Sequence, residues 1–302
     1  MILVVGESLV DVVQRSDGSV REHPGGSPAN VAVGLARLGL ETQLATTIGT
    51  DDHGALVRMH LADAGVQLLP GLKPPERTAT AIATIDDSGS ATYTFDLAWD
   101  PGPIRPTVLP DAIHTGSIAT FLEPGADAVE DVLRGHAHTS VVTLDPNLRP
   151  ALVPDRAAAL ERVEALVRLS DVVKVSDEDL AFLYPDEDPG DVAHRWLHDG
   201  PACVALTLGP DGSRLHTQRG AITLPTTADT VADTVGAGDS YMSGLIAALD
   251  AEGALGPDGR SLLDEAGLPF WRRVGSVATR SAAVTVGRAG AQPPWADELD
   301  LG

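Results

Sequence analysis

Three small residues, Gly236, Ala237 and Gly238, directly precede Asp239 in the stretch DTVGAGDSYMSGLIAAL. The residues after Asp239 have the spacing of an amphipathic helix, which places the small residues at a helix N-terminus. Free backbone N–H groups and the helix dipole favour a bound anion at such a position. Asp239 itself fits two roles, a carboxylate that caps the helix or a base that takes a proton from a hydroxyl attacking a bound phosphate. The spacing alone favours neither role.

A second glycine-rich turn opens another helix in GGSPANVAVGLARLG. Gly25 and Gly26 permit a close backbone approach, and the Asn30 amide both donates and accepts, which suits sugar hydroxyls. A purely structural turn is the alternative. The G-x-G-x-x-G spacing of dinucleotide sites is absent after the first strand, which disfavours a nicotinamide-dependent dehydrogenase. The chain has only two lysines, Lys73 and Lys174, so neither glycine-rich turn contains a P-loop lysine.

The composition excludes several classes of protein. The 302 residues contain 21 Lys and Arg against 43 Asp and Glu, a net charge of −22. Such a surface disfavours nucleic acid and anionic membranes. The single cysteine, Cys203, excludes an internal disulfide and a cysteine-based metal cluster, and its apolar run ACVALTL predicts a buried structural thiol. Without a signal peptide or a run of about 20 apolar residues, the sequence predicts a cytoplasmic protein.

Strand and helix patterns alternate along most of the chain. The apolar run ILVVG is followed by a helical pattern over 24–39, a strand in TQLATTIG and a helix from Asp52 to Gly65. After residue 110, strand patterns recur in AIHTGSIA, SVVTLD, DVVKVS and ACVALTLG. Helical patterns cover 154–170, 237–250 and roughly 260–282. This alternation predicts one α/β domain over 1–302, with a mostly parallel sheet flanked by helices.

One segment interrupts this alternation. Between residues 66 and 98, two threonine-rich alternating runs flank DDSG, which indicates an antiparallel hairpin. The stretch VVQRSDGSV indicates a second hairpin. We therefore predict a small β-sheet lid built from about 12–22 and 66–98 beside a cleft; an ordinary peripheral hairpin is the alternative. Exposed edges of such strands favour pairing between subunits, so we expect a homodimer through the lid.

Six motifs occur in a fixed order: GESLVD at 6–11, PGGSPANVAVGLARLG at 24–39, DPNLR at 145–149, TLGPDG at 207–212, DTVGAGD at 233–239 and GRAGAQP at 287–293. In type, order and spacing they resemble the signatures of the ribokinase-like (PfkB) carbohydrate kinases. Together with LEPGA at 122–126, the early motifs look most like those of bacterial fructokinases. The resemblance implies a ribokinase-like fold, with helices on both faces of a mostly parallel sheet and a small β-sheet lid.

The resemblance also implies an activity, the ATP-dependent phosphorylation of a primary hydroxyl on a small sugar. D-Fructose is the expected acceptor; ribose, 2-keto-3-deoxygluconate and a nucleoside are the alternatives. Asp239 would be the base, and the amides of Gly236, Ala237 and Gly238 the anion hole. The implied sugar contacts are Asp11, Gly26, Asn30, Phe95 and Arg149. A non-catalytic sugar or nucleotide sensor is an alternative of another class, but a sensor needs neither Asp239 nor the triplet.

A nucleotide site with Mg²⁺ follows from the same resemblance. The implied ATP-binding residues are Lys174, Ser176, Thr207, Gly209, Gly212, Gly238, Thr279, Ala282 and Ala283. Where the family usually has Asn-x-x-Glu near the metal, this chain has Ser176 and Asp179, so Asp179 or Glu178 would reach Mg²⁺ through water. An acidic helix cap is the structural alternative for this stretch. The resemblance also implies a K⁺ site formed by Asp233 and the carbonyls of Val235, Thr285, Arg288 and Gly290.

Overall fold

The chain forms two β-sheets of unequal size in a computed structural model that describes residues 1–86, 91–153 and 155–299. The elements of the first half are β1 (Ile2–Val5), β2 (Leu9–Arg15), β3 (Val20–Gly25), α1 (Ser27–Arg37), β4 (Thr42–Ala45), α2 (Asp52–Asp63), β5 (Gln67–Leu68), β6 (Ala79–Ile85), β7 (Ala91–Asp96), β8 (Ala112–Gly116) and α3 (Gly125–His136). Those of the second half are β9 (Val141–Asp145), α4 (Arg156–Val167), β10 (Val172–Ser176), α5 (Asp177–Leu183), α6 (Pro189–Trp196), β11 (Cys203–Thr207), β12 (Ser213–Thr217), β13 (Gly220–Leu224), α7 (Ala237–Ala251), α8 (Gly259–Glu265) and α9 (Leu268–Val286).

The large sheet has the strand order β13-β12-β11-β10-β9-β8-β1-β4-β5. From β11 to β5 the strands run parallel, and β12 and β13 add an antiparallel edge. Parallel strands joined by helical crossovers are covered on both faces. In β1, Ile2 and Val4 belong to one apolar core, and Leu3 and Val5 belong to the other. Helices therefore cover both faces, and the predicted fold class is confirmed.

The small sheet has the order β3-β2-β6-β7 and stands apart from the large one. Asp11 is in register with His23 on one side and with Ala81 on the other, and Ala81 is in register with Phe95. Residues in register across a sheet share a face. Asp11, His23 and Phe95 therefore lie on one face, while Val10 on the opposite face joins the core that includes helix α2.

The small sheet differs from its prediction in extent. It begins at Leu9 and not near residue 12, and β5, which we expected within the lid segment, pairs with β4 in the large sheet. The prediction gave no direction for the contact between the two hairpins, and this pair, β2–β6, is parallel. A parallel pair needs a long crossover connection, and the chain from β3 to β5 supplies it. Most of the predicted DDSG turn (87–89) lies outside the described residues; the flanking strands β6 and β7 pair antiparallel as predicted.

The predicted C-terminal helix over roughly 260–282 is two helices. Helix α8 ends at Glu265, and α9 begins at Leu268 with Pro269 in its first turn. Proline is favoured in the first turn of a helix because the N–H it lacks has no helical partner there. Over the residues that the structure describes, no helix combines the length and apolar character needed to span a membrane.

Candidate active site

Asp239 is the third residue of α7, and its carboxylate faces α1. Ser27 donates from Oγ to one carboxylate oxygen at 2.6 Å, and Asn30 donates from Nδ2 to the other at 2.8 Å. The side chain is buried, with 7% of Asp239 exposed. These contacts, and not a bond to its own helix, are the hydrogen bonds that the structure gives this carboxylate. The geometry therefore favours a carboxylate held in place by α1 over the helix cap that the spacing left open.

Close packing of α1 on α7 brings these residues together across more than 200 positions of sequence. A Cβ added at Gly34 of α1 would lie 2.4 Å from Oγ of Ser243 on α7. Glycine at this position lets the two helices approach until Ser27 and Asn30 reach Asp239.

The start of α7 has the backbone that the sequence predicts for an anion site. Gly236 has φ +75°, in the left-handed region that favours glycine. A Cβ at Gly236 would come within 2.6 Å of Cβ of Ala291, in the GRAGAQP motif. The turn at Gly236–Gly238 and the C-terminal motif are therefore packed against each other, with the first N–H groups of α7 at the same end as Asp239.

A buried lysine lies directly behind this turn. Lys174, on β10, is 4% exposed and donates from Nζ to Oδ2 of Asp145, on β9, at 2.8 Å. A Cβ added at Gly238 would lie 2.8 Å from that Nζ. The sequence correctly shows no lysine within the glycine-rich turn, but in space the Lys174 ammonium reaches the turn from the sheet.

Burial and charge act in opposite directions on this pair. Burial alone would lower the pKa of Lys174, but the carboxylates of Asp145, Asp179 and Asp239 outweigh it and hold the pKa above its usual range. Burial raises the pKa of Asp145 to about 6, against the opposing effect of Lys174. Oδ1 of Asp145 is buried and has no hydrogen-bond partner among the described residues.

The predicted sugar contacts converge on one side of Asp239. Gly26 has φ +100° directly before α1, and a Cβ there would lie 2.7 Å from the carbonyl oxygen of Glu7. Asp11 opens toward the cleft from the small sheet, where loss of water raises its pKa and the charges of His23 and Arg149 lower it in part. Arg149 is therefore close enough to Asp11 for its charge to act on that carboxylate.

Two of these contacts carry additional partners. Nη1 of Arg149 also donates to Oδ1 of Asn147 at 2.7 Å. Phe95 is half-buried and stacks on Tyr93, with ring centroids 6.2 Å apart. Of the predicted sugar contacts, Gly26 and Asn30 thus lie at the start of α1, and Asp11 and Phe95 share one face of the small sheet.

The predicted nucleotide residues lie on the other side, on elements that pack together. Thr207 ends β11 in register with Ser176, and Gly209 and Gly212 take positive φ in the turn into β12. Thr279, Ala282 and Ala283 lie on α9, which packs along β12, β13 and α7. Oγ1 of Thr279 is buried with no hydrogen-bond partner among the described residues.

Asp179 has a structural role in addition to its predicted metal role. Its carboxylate accepts from Ser176 N and Oγ and from the Leu148 N–H, which forms a capping box and ties the DPNLR loop to α5. An ionised carboxylate has about four acceptor positions, so about one remains. One position fits a contact through a metal-bound water and not direct chelation. Glu178 is exposed, and the part of the chain that the structure describes has no cluster of three or more metal-ligating side chains.

Asp233 joins the two loops that were predicted to hold K⁺. One carboxylate oxygen accepts from Val235 N at 3.0 Å, and the other accepts from Gly290 N at 2.9 Å. These backbone hydrogen bonds lower the pKa of Asp233. The Thr285 and Arg288 side chains are engaged elsewhere, with Ser240 and Glu298, so only their carbonyls remain for a cation at this position.

Three residues near the site were not predicted: Ser27, Asp145 and Glu7. Ser27 precedes Asn30 by three positions, so the two share a helix face, and Asp145 ends a buried strand. Glu7 accepts from the Ala119 N–H at 3.0 Å, and burial raises its pKa to about 7. Glu7 belongs to the GESLVD motif, but its burial could not be predicted locally because it depends on segments more than 100 residues away.

A cavity of about 510 Å³ lies away from these residues, between α4 and the segment that precedes α3, lined in part by Phe121, Leu152 and Arg162. It contains none of the predicted site residues.

Comparisons with known proteins agree on one family. Residues 1–298 match the pfkB family carbohydrate kinases. The fructokinase of Rhizobium leguminosarum bv. trifolii is 33% identical over 279 residues, which are 89% of this chain and 85% of that protein. The structure of aminoimidazole riboside kinase from Salmonella enterica, complexed with aminoimidazole riboside and an ATP analog, has a TM-score of 0.79 at 26% identity and covers 99% of this chain and 98% of that one. Fructokinase with bound ATP from Xylella fastidiosa has a TM-score of 0.81 at 24% identity and covers 99% and 96%.

Proposed function

The chain belongs to the pfkB family of carbohydrate kinases, and from this membership we propose that it transfers the γ-phosphoryl group of ATP to a primary hydroxyl of D-fructose. The identity to the Rhizobium fructokinase supports fructose as the acceptor. The observation that carries the catalytic assignment is the Asp239 carboxylate, held by Ser27 and Asn30 beside the glycine-rich start of α7.

Asp239 acts as the base. Two donors, Ser27 and Asn30, fix the plane of the carboxylate and leave about two of its four acceptor positions free for the substrate hydroxyl. As the sugar oxygen bonds to the γ-phosphorus, the bond from that phosphorus to the β,γ-bridging oxygen breaks and ADP leaves with the electron pair. The hydroxyl proton passes to Asp239.

The charge on the transferred group is met by fixed donors. The amides of Gly236 and Gly238 stand at the positive end of the α7 dipole, and Lys174 lies behind them. The Ala237 N–H lies at the same end but donates to the Thr234 carbonyl at 3.3 Å, a long hydrogen bond that it would share with a phosphoryl oxygen. Donors that are already in place need no rearrangement during the reaction, which is the usual source of electrostatic catalysis.

The sugar lies between α1 and the small sheet. Asp11, Gly26, Asn30 and Arg149 offer acceptors and donors to its hydroxyls, and Phe95 covers an apolar face. The small sheet closes over the sugar and excludes water, which limits transfer of the phosphoryl group to water.

ATP binds on the other side of the glycine-rich turn. Ser176, Thr207, Gly209 and Gly212 approach its phosphates and ribose, while Thr279, Ala282 and Ala283 on α9 line the adenine site. Asp179 would hold Mg²⁺ through water, and the ion would supply positive charge that neutralises part of the charge of the phosphates. Asp233 and the carbonyls of Val235, Thr285, Arg288 and Gly290 form a K⁺ site that keeps the two loops in place.

We also propose that two copies pair through the exposed edges β3 and β7 of the small sheet.

Asp239→Asn tests the assignment. Asn keeps the shape and one acceptor oxygen, replaces the other by an NH2 donor and cannot accept the proton, so kcat for ADP release with fructose should fall by about 100-fold or more. Fructose affinity, measured by calorimetry, should change little. Turnover near the wild-type rate in this variant would refute Asp239 as the base.

A substrate panel tests the acceptor. We expect fructose to give the highest kcat/KM among fructose, ribose, 2-keto-3-deoxygluconate and aminoimidazole riboside, the ligand of the Salmonella neighbour. A higher value for any other member reassigns the substrate, and ATP binding without turnover of any member favours a sensor.

A further inference from the structure

The buried pair Lys174–Asp145 has an unusual position for an ion pair. Both side chains are almost completely covered, with 4% of Lys174 and 1% of Asp145 exposed, and the strands β10 and β9 carry them side by side. Taking two charges out of water costs more than an ordinary pair returns. A pair that contributes little to stability is a candidate for a role in the reaction.

The Lys174 ammonium also lies at the N-terminus of α7, where a positive charge is unfavourable for stability. Lys174 Nζ lies 2.8 Å from where a Cβ of Gly238 would be, at the start of α7. The N-terminus of a helix carries a partial positive charge and favours anions. A cation at this end therefore raises the energy of the empty site and lowers it again when an anion arrives.

Asp145 is what keeps the ammonium in this place. Nζ has three donor positions, and Asp145 is the one hydrogen-bond acceptor that it reaches among the described residues. The carboxylate fixes one N–H, and Nζ lies 2.8 Å from the Cβ position at Gly238, so its other donors are within reach of an anion bound at the turn. Gly238 has no side chain that would push the ammonium away.

We propose that Asp145 is a positioning residue, which holds the Lys174 ammonium against the Gly236–Gly238 turn so that it meets the phosphoryl group in transfer. This inference rests on the proposed function and adds to it how the charge behind the anion hole is held. Asp145 does not touch the substrate; it acts through Lys174.

Four titratable groups face Lys174 from four different elements. Asp145 lies on β9, Asp179 on α5 and Asp239 on α7, and all three favour the charged ammonium. His114, on β8, stays neutral near physiological pH because burial, with the charge of Lys174, lowers its pKa to about 3. Removing the Asp145 charge therefore leaves an ammonium that loses its proton more readily as the pH rises.

Asp145→Asn is compared with Asp171→Asn as a matched control. Asp171 is also a buried acid in an ion pair, with Arg260 at 2.5 Å, but it lies at the opposite end of β10 from the turn. We expect kcat to fall by about 10- to 100-fold for Asp145→Asn, the range of a lost charge-assisted hydrogen bond. KM for fructose should change by less than about threefold, and Asp171→Asn should keep kcat within about twofold.

The pH profile separates positioning from a structural effect. As the pH rises, the kcat of Asp145→Asn should begin to decline at a lower pH than that of the wild type or of Asp171→Asn, because burial favours the neutral amine of Lys174 once the Asp145 charge is gone. Equal losses in the two variants, or an unchanged profile in Asp145→Asn, would overturn the proposal.

A double variant covers the case in which Asp145→Asn does not fold. Asp145→Asn with Lys174→Met leaves no unpaired buried charge. Its kcat should equal that of Lys174→Met, because Asp145 acts only through Lys174. A further drop of about tenfold in the double variant would refute the proposal.

Calorimetric titration of ATP tests the role of Asp145 independently of the proposed sugar kinase activity. ATP affinity of Asp145→Asn should weaken from pH 7 to 9 more than that of the wild type and of Asp171→Asn, whichever sugar is the acceptor. If the wild type phosphorylates no sugar, the proposed function fails, and this binding series still decides whether Asp145 holds Lys174.

Discussion

Replacing Gly238 by alanine separates the stability of α7 from the chemistry at its start. Gly238 lies within the helix and has no positive φ, so the backbone accepts a side chain there. The atoms that an added Cβ would meet are Nζ of Lys174 at 2.8 Å and Cε at 3.7 Å. Ordinary carbon–nitrogen contacts begin near 3.4 Å, so the ammonium must withdraw by about 0.6 Å or more.

The expected magnitudes have opposite signs. Glycine to alanine within a helix contributes about 0.5–1 kcal/mol, so the free energy of unfolding should stay the same or rise. The displaced ammonium loses a charge-assisted hydrogen bond to the phosphoryl group, about 1.5–3 kcal/mol. Since 1.36 kcal/mol is a tenfold change in rate, kcat/KM for ATP should fall by about 10- to 150-fold.

The assay is coupled ADP release with fructose, together with urea unfolding of each variant. Gly135→Ala is the matched control, because Gly135 lies on α3 and an added Cβ there meets nothing within 4 Å. We expect the control to gain the same helix stability and to keep its activity.

A double-mutant cycle with Lys174→Met identifies the cause. If the methyl group acts by moving Lys174, Gly238→Ala adds nothing to the loss already caused by Lys174→Met. Additive losses would mean that the methyl group obstructs the phosphates directly, and an unchanged kcat/KM in Gly238→Ala would refute the reasoning altogether.

Two further predictions concern Glu7 and the small sheet. Because burial raises the pKa of Glu7 from 4.5 to about 7, the native state keeps a proton that the unfolded chain releases, so stability falls as pH rises through this range. Relative to Glu7→Gln, the wild type should lose about 2–3 kcal/mol between pH 5 and 8 in urea unfolding; parallel pH curves for the two proteins would contradict this. Tyr93 lies on the edge strand β7 and is 62% exposed. Replacing it by aspartate should weaken the proposed dimer, as measured by sedimentation. A monomeric wild type would exclude that dimer.

Local patterns were sufficient for most of the architecture. Apolar runs alternating with helical spacing predict the parallel sheet because a parallel strand is buried on both faces and needs a helical crossover. The glycine-rich starts of α1 and α7 could be located because positive φ and close approach need glycine at particular positions, such as Gly26 and Gly236. The relative direction of β2 and β6 could not be predicted, since it depends on a connection of more than 60 residues and not on the pattern of either strand.

For the candidate site, too, some features could be predicted from the sequence and others could not. Asp239 and the triplet before it are adjacent in sequence, so their chemistry could be inferred directly. The partners of Asp239 could not, because Ser27 and Asn30 reach it only when α1 packs on α7 through Gly34. For Asp179, the local pattern allowed a metal contact and a helix cap, and the three hydrogen bonds it accepts leave room for little beyond the cap.

The sequence by itself determined the family, the order of the elements and the proposed catalytic carboxylate, because these depend on residues that lie close together in the chain. Tertiary structure alone decided which charge stands behind the anion hole. Neither of the two lysines lies within a glycine-rich turn, which excludes a P-loop lysine. However, the carboxyl ends of neighbouring parallel strands meet at one edge of the sheet, so a lysine from a strand can approach such a turn in space. There, Lys174 from β10 meets Asp145 from β9 and the start of α7, at distances that only the packing of the helix on the sheet could set.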